Sequence, residues 1–138
     1  DLIVPNYTEA AFLAGKYTDK DVLTREEADD LARILHGYGA QSVVITSINI
    51  EGQTSTLMLD GVDDRISVFP YTEIPVRFPG TGDIFSAVLI GRYRSGHSME
   101  DSVQAAMRTV EDLIDLNKDN ADKYKGIPLE QYIEVITK

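Results

Sequence analysis

The residues best suited to chemistry lie in one stretch, Phe78-Pro79-Gly80-Thr81-Gly82-Asp83-Ile84-Phe85-Ser86-Ala87. Two glycines run straight into an apolar segment. Glycine lets a backbone approach a ligand closely and aim several N–H groups in one direction. The first turn of a helix adds unsatisfied N–H donors and a partial positive charge. Together these make an anion site, most simply a phosphate site. Asp83 falls in that first turn. A carboxylate there either stabilises the helix start or serves as a general base beside oriented donors. The second role suits transfer of a phosphoryl group to an alcohol. The stretch has neither the lysine of a Walker loop nor the third glycine of a dinucleotide fingerprint.

Two further polar pairs stand at the ends of apolar runs. Asn6 and Glu9 follow Leu2-Ile3-Val4-Pro5 and have the spacing of a helix cap and its reciprocal partner. Thr46 and Ser47 close the run Ser42-Val43-Val44-Ile45, where they read as a strand end. His36 and His97 sit near glycine-marked helix ends and read as solvated terminal residues.

Composition limits the alternatives. The 138 residues are 43% hydrophobic and 26% charged, enough for one cored domain and unlike a disordered chain. With no cysteine there is no disulfide, thiolate metal site or cysteine nucleophile. Two histidines leave little for a histidine-based zinc site. A net charge of −10 argues against nucleic acid and anionic membranes as partners. No apolar run reaches the roughly 18 residues of a membrane span. The chain opens on Asp1 and an apolar run, without an initiator methionine or signal peptide. The expectation is an intracellular fragment whose N-terminal part is missing.

These side chains need elements to hold them. Residues 2–4 read as a short buried strand and residues 8–14 as a helix capped by Asn6. Thr24 and Glu27 form a capping box before a helix that buries Ala28, Leu31, Ala32 and Leu35. Residues 42–46 read as a strand buried on both faces, parallel to residues 2–4. Residues 54–59 and 65–69 read as a polar antiparallel hairpin. Residues 83–93 read as a helix apolar nearly all round, hence buried. A helix opened by Ser98 and Asp101 should bury Val103, Ala106, Met107, Val110, Leu113 and Ile114. Pro128 starts a final helix burying Leu129, Tyr132, Ile133 and Ile136. Strands alternating with helices indicate an α/β fold.

Gly80-Thr81-Gly82-Asp83, with Phe85 following, resembles the anion-hole motif of the ribokinase superfamily in the form used by pyridoxal kinases. Val4-Pro5-Asn6-Tyr7-Thr8-Glu9-Ala10 resembles that family's Thr-Pro-Asn-x-x-Glu segment. Val44-Ile45-Thr46-Ser47 is similar to its nucleotide-side strand ending in Thr-Ser. The resemblance implies a three-layer α/β/α fold with a mostly parallel sheet and a β-hairpin. Residues 1–138 would be the C-terminal, nucleotide-binding half of a single kinase domain, with the N-terminal half absent.

The implied activity is ATP-dependent phosphorylation of the 5′-hydroxymethyl group of pyridoxal, pyridoxine or pyridoxamine, the salvage of vitamin B6. Asp83 would take the hydroxyl proton, and the N–H groups of Gly80, Thr81 and Gly82 would hold the charge on the transferred group. Asn6 and Glu9 would help position Mg²⁺ through water. Thr46 and Ser47 would line the phosphate region and a site for a monovalent cation such as K⁺. Ile74, Val76 and Phe78 would flank adenine on one side, with Thr109 and Val110 on the other. The expected partners are ATP and a pyridoxal-type substrate, in a cytoplasmic protein that is a homodimer at full length.

The chain also departs from the pattern. Val4 replaces a threonine hydroxyl, and Glu73 or Arg77 stands where some relatives carry a lysine. The vitamin pocket and its lid belong to the N-terminal half, so the fragment should be inactive. Hydroxymethylpyrimidine kinases of the same superfamily are one alternative, although they usually carry Cys where Asp83 stands. A noncatalytic nucleotide- or phosphate-binding module is the other.

Overall fold

The computed structural model describes residues 1–16, 21–72 and 80–117. The chain divides into two compact units, Asp1–Glu73 and Ile74–Lys138, each taken by itself below. The helix expected from Pro128 lies outside the described residues.

The first unit is a four-stranded sheet with two helices. Its elements are β1 (Leu2–Ile3), α1 (Tyr7–Leu13), α2 (Arg25–Gly37), β2 (Ser42–Ile50), β3 (Gln53–Asp60) and β4 (Arg65–Pro70). The strand order is β1-β2-β3-β4. β1 pairs with β2 in parallel, Leu2 opposite Ser42 and Ile3 opposite Val43, as the βαβ reading requires. The other two pairings are antiparallel, so the sheet is mixed where a mostly parallel one was expected. Two short connections account for this, Glu51-Gly52 between β2 and β3 and residues 61–64 between β3 and β4, because a tight turn can join only antiparallel strands. β1 is half-buried rather than buried, since it forms the edge of the described sheet.

Both helices start as the sequence predicts. The Thr24 side chain accepts from the Glu27 N–H while Glu27 accepts from the Thr24 N–H, which closes the capping box. Ala28, Leu31, Ala32 and Leu35 are all buried. They join Ala10 of α1 and Ala14 at its C-cap against Val43, Ile45, Ile48, Ile50, Leu57 and Leu59, so α1 and α2 cover one sheet face.

β2 does not end at Thr46. Its pairing with β3 passes from Ile45–Leu57 to Ile48–Ser55, so Thr46 and Ser47 together stand opposite Thr56. This is a β-bulge, one extra residue in one strand. That single extra residue switches the side-chain parity, which explains why Val43, Ile45, Ile48 and Ile50 all reach the same core despite their broken alternation. Beyond the bulge, Glu51 and Gly52 form a two-residue turn with φ of 54° and 92° between the paired Ile50 and Gln53. Positive φ at both positions is the signature of the tight hairpin turn that matches strand twist.

At the other end of β2 the turn after β3 is crowded. A Cβ on Gly61 would lie 1.7 Å from the Gln41 carbonyl oxygen and 2.9 Å from His36 Cε1. His36 is half-buried, not solvated as expected, and its Nδ1 donates to the Ala40 carbonyl at 2.7 Å. Arg33 bonds Asp64 at 2.9 Å and so ties α2 to the turn before β4. The guanidinium holds the Asp64 carboxyl below its ordinary value, first by that hydrogen bond and then by charge.

The second unit contains α3 (Thr81–Arg94) and α4 (Met99–Asn117), packed on each other. α3 buries Ile84, Phe85, Val88 and Leu89, whereas Ala87 and Ile90 are exposed. The expectation of a helix buried all round is therefore corrected: among the described residues of this unit, α4 covers one face only. α4 starts as predicted, with Ser98 Oγ accepting from the Asp101 N–H at 3.0 Å. Its buried face is rotated from the expected one. Met99, Ser102, Ala105, Thr109 and Asn117 are buried along with Val103, Ala106 and Leu113, while Met107, Val110 and Ile114 are only half-buried.

Candidate functional site

The start of α3 differs from the other helix starts. Asn6, Thr24 and Ser98 cap α1, α2 and α4 with side-chain oxygens. α3 begins at Gly80 in the left-handed region, φ 86°, with no side-chain cap. Gly80 needs to be glycine, because an L side chain is disfavoured there. Its carbonyl accepts from the Ile84 N–H at 3.0 Å, so the helical ladder is established from the first turn. The N–H groups of Thr81, Gly82 and Asp83 precede the first intrahelical donor. Thr81 and Gly82 are thus helical, and α3 begins two residues ahead of the expected start at Asp83.

Gly82 is exposed, and a Cβ there would meet nothing within 4 Å. Packing among the described residues does not require glycine at this position; its bare backbone leaves open room against the first turn. Asp83 is exposed at the third helical position, and no side-chain hydrogen bond or ion pair of its carboxylate is found among the described residues. The geometry offers three outward N–H groups at the positive end of a helix and one carboxylate beside them.

The first unit gathers a second group at the carboxyl ends of its parallel strands. The Thr46 N–H donates to the Pro5 carbonyl at 3.0 Å, and Asn6 bridges Thr46 in parallel. Asn6, Thr46 and Ser47 therefore lie side by side where β1 and β2 part. In open α/β sheets ligands bind at such strand ends. Asn6 Oδ1 accepts from the Glu9 N–H at 2.8 Å, and Glu9 Oε1 accepts from the Asn6 N–H at 3.1 Å. The capping-box reading of this pair is realised. Glu9 is exposed, and one carboxylate oxygen stays outside the box.

Of the residues expected around adenine, Ile74, Val76 and Phe78 lie outside the described residues. Thr109 is buried in α4 and donates from Oγ1 to the Ala105 carbonyl at 2.9 Å, and Val110 is half-buried. Thr109 also lines a cleft of about 390 Å³ with Arg92, Arg108, Asp112 and Leu116. The sequence reading missed the bulge at Thr46 and Ser47. Its signal was the broken alternation of Ile45-Thr46-Ser47-Ile48-Asn49-Ile50 ahead of Glu51-Gly52.

A sheet with its polar cluster at parallel strand ends, and a glycine-led helix start with a carboxylate at its third position, are features of the ribokinase class of α/β proteins. Residues 1–128 match the phosphomethylpyrimidine kinase family, and the chain belongs to it. It is also pyridoxal kinase-like. It is 34% identical to the pyridoxal kinase of Ovis aries over 103 residues, 65% of this chain and 31% of that protein. It is 29% identical to the cytidine kinase of Thermococcus kodakarensis over 115 residues, 83% of this chain and 37% of that protein. A structure from Bacteroides thetaiotaomicron, described as a phosphomethylpyrimidine kinase and crystallised with pyridoxal, superposes with a TM-score of 0.89. That match has 29% identity and covers 100% of this chain and 49% of the other. The chain thus spans about a third of the length of these curated relatives and half that of the solved one.

Proposed function

We propose that this chain is the nucleotide side of an ATP-dependent kinase that phosphorylates the 5′-hydroxymethyl group of pyridoxal, pyridoxine or pyridoxamine. The observation that carries the reading is the start of α3, which lacks a side-chain cap and has open space over Gly82, with Asp83 beside it. Asp83 is the base that takes the proton from the attacking hydroxyl. The N–H groups of Gly80, Thr81 and Gly82 receive the charge that builds on the transferred phosphoryl group, and the last two are fixed in direction as first-turn donors of α3. Thr46 and Ser47 meet the nucleotide phosphates. By the family resemblance, Thr109 and Val110 would flank adenine on one side and Ile74, Val76 and Phe78 on the other.

Hard oxygen donors and an exposed carboxylate suit Mg²⁺, which keeps several waters. Glu9 would reach it through the oxygen outside the capping box, with Asn6 beside it. When bound, the ion neutralises phosphate charge during transfer. Thr46 is the hydroxyl available for a monovalent cation, since Val4 supplies none.

The family match favours hydroxymethylpyrimidine as the competing acceptor, and the cytidine kinase relative favours a nucleoside. A panel of pyridoxal, hydroxymethylpyrimidine and cytidine with Mg·ATP and the intact protein separates them. Preferential formation of pyridoxal 5′-phosphate is expected, whereas a preference for either other acceptor would overturn the substrate assignment.

Two variants probe the machinery. Gly82→Ala should stabilise α3 by up to about 1 kcal/mol, because alanine is the better helix former. It should also slow phosphoryl transfer by about tenfold or more, as its methyl crowds the anion side of the first turn. Thermal melting and initial rates read the two effects, and unchanged rates would place the anion elsewhere. Glu9→Ala should cost about 1 kcal/mol in urea denaturation through loss of the box and of a helix-start charge. Glu9→Gln keeps an acceptor for the Asn6 N–H and should cost roughly half of that. If Glu9 serves Mg²⁺, both variants raise the Mg²⁺ concentration needed for half-maximal rate; a cap alone leaves it unmoved.

A further inference from the structure

The exit from β4 is set by a side chain. β4 ends at Pro70, which stands opposite Ser55. One more rung follows, in which the Tyr71 N–H donates to the Thr54 carbonyl at 3.0 Å. In a continuing antiparallel ladder the Thr54 N–H would return a bond to the Tyr71 carbonyl. Among the described residues that return bond is not found, and the Tyr71 carbonyl instead accepts from Gln53 Nε2 at 2.9 Å. The same Nε2 donates to the Thr54 carbonyl at 3.0 Å, so both amide N–H groups of Gln53 are used. The base of this side chain is itself braced. Gln53 pairs with Ile50 across the Glu51-Gly52 turn, the Gly52 N–H donates to Asn49 Oδ1 at 2.9 Å, and the Ser55 hydroxyl donates to the Gln53 carbonyl at 3.2 Å. Gln53 is exposed and lies outside the core cluster, so its amide acts on the main chain alone. The tip of the β2–β3 hairpin thus grips the chain as it leaves β4. Just beyond this grip the chain passes from the first unit to the second, between Glu73 and Ile74, and then reaches Gly80 at the start of α3.

We propose that Gln53 is a positioning residue, whose side-chain amide fixes where and in which direction the chain leaves β4 on its way to the start of α3. This rests on the kinase reading above for the role of that helix start. With the amide in place, the Tyr71 carbonyl is turned out of the ladder in one set direction. Without it, Tyr71 keeps a single backbone bond to Thr54, and the chain can leave in several directions. Nucleotide binding must then order the connection as well, which lowers affinity without removing any contact to the ligand.

The test uses the intact protein. Gln53→Met keeps the length and neutrality of the side chain and removes both donors. Hydrogen exchange of the Tyr71 amide is followed by NMR, Mg·ADP affinity by calorimetry, and folding by far-UV circular dichroism. Exchange at Tyr71 should quicken by about fivefold or more, since local opening then breaks fewer bonds. Mg·ADP should bind at least about threefold more weakly. Faster exchange with unchanged affinity would overturn the proposal, because the exit from β4 would not matter to the ligand. Weaker binding with unchanged exchange would overturn it too, by making Gln53 a direct ligand contact, as would no change in either. Should Gln53→Met not fold, Gln53→Ala replaces it with the same expectations, and failure of both to fold would reduce Gln53 to a stability residue. Absence of Mg·ADP binding by the unmodified protein would overturn this proposal together with the nucleotide reading. The expected changes without pyridoxal turnover would sink the substrate reading alone and leave the role of Gln53 standing.

Discussion

Replacing Asp83 with asparagine in the intact protein should lower kcat by about 10²–10⁴-fold, the usual contribution of a positioned general base. The affinity for Mg·ATP should change little, because the side chain is nearly isosteric and the N–H groups of the first turn stay in place. Stability should fall by no more than about 1 kcal/mol, the scale of a single charge at a helix start. The decisive quantity is the separation of kcat from nucleotide affinity. A carboxylate that only stabilises the helix start predicts unchanged turnover, and a noncatalytic phosphate-binding module predicts no turnover in either protein.

The second large effect concerns the fold. Gly61→Ala should destabilise the chain by about 3 kcal/mol, at the upper end of what overpacking usually costs. The added Cβ would sit 1.7 Å from the Gln41 carbonyl oxygen, a backbone atom that cannot swing aside as a side-chain tip can. Either the turn after β3 or the entry to β2 must shift, and Val43, Val44 and Ile45 just beyond are all fully buried. Denaturant titration of the purified variant reads this directly. A loss below about 1 kcal/mol would show that the turn yields without disturbing β2.

Features fixed by short-range chemistry were the most legible. The Asn6–Glu9 and Thr24–Glu27 boxes need only two residues three apart, and both form. The β-branched run from Val43 to Ile45 reports its own burial. What escaped depended on partners. Thr46-Ser47 looked like a strand end because a bulge breaks alternation and imitates a stop. The face of α4 was misjudged because the reading ranked residues by apolarity. Ser102, Thr109 and Asn117 are nonetheless buried, since each donates to a carbonyl one turn back, Ser98 at 2.7 Å, Ala105 at 2.9 Å and Leu113 at 2.8 Å. A polar side chain satisfied by its own helix can enter a core at little cost. At the candidate site the glycines and Asp83 were visible in sequence. That α3 alone among the described helices lacks a side-chain cap became visible only by comparing helix starts.

The most direct measurement follows pyridoxal 5′-phosphate formation from Mg·ATP and pyridoxal by the intact protein and by this 138-residue chain, side by side. If the chain is the nucleotide side of a pyridoxal kinase, the intact protein turns over, and the chain alone binds Mg·ATP weakly and forms no product. The acceptor pocket and the exclusion of water would then come from the remainder of the protein. Product formed by the chain at a rate near that of the intact protein would contradict this division of labour. No product from the intact protein would contradict the assigned reaction itself.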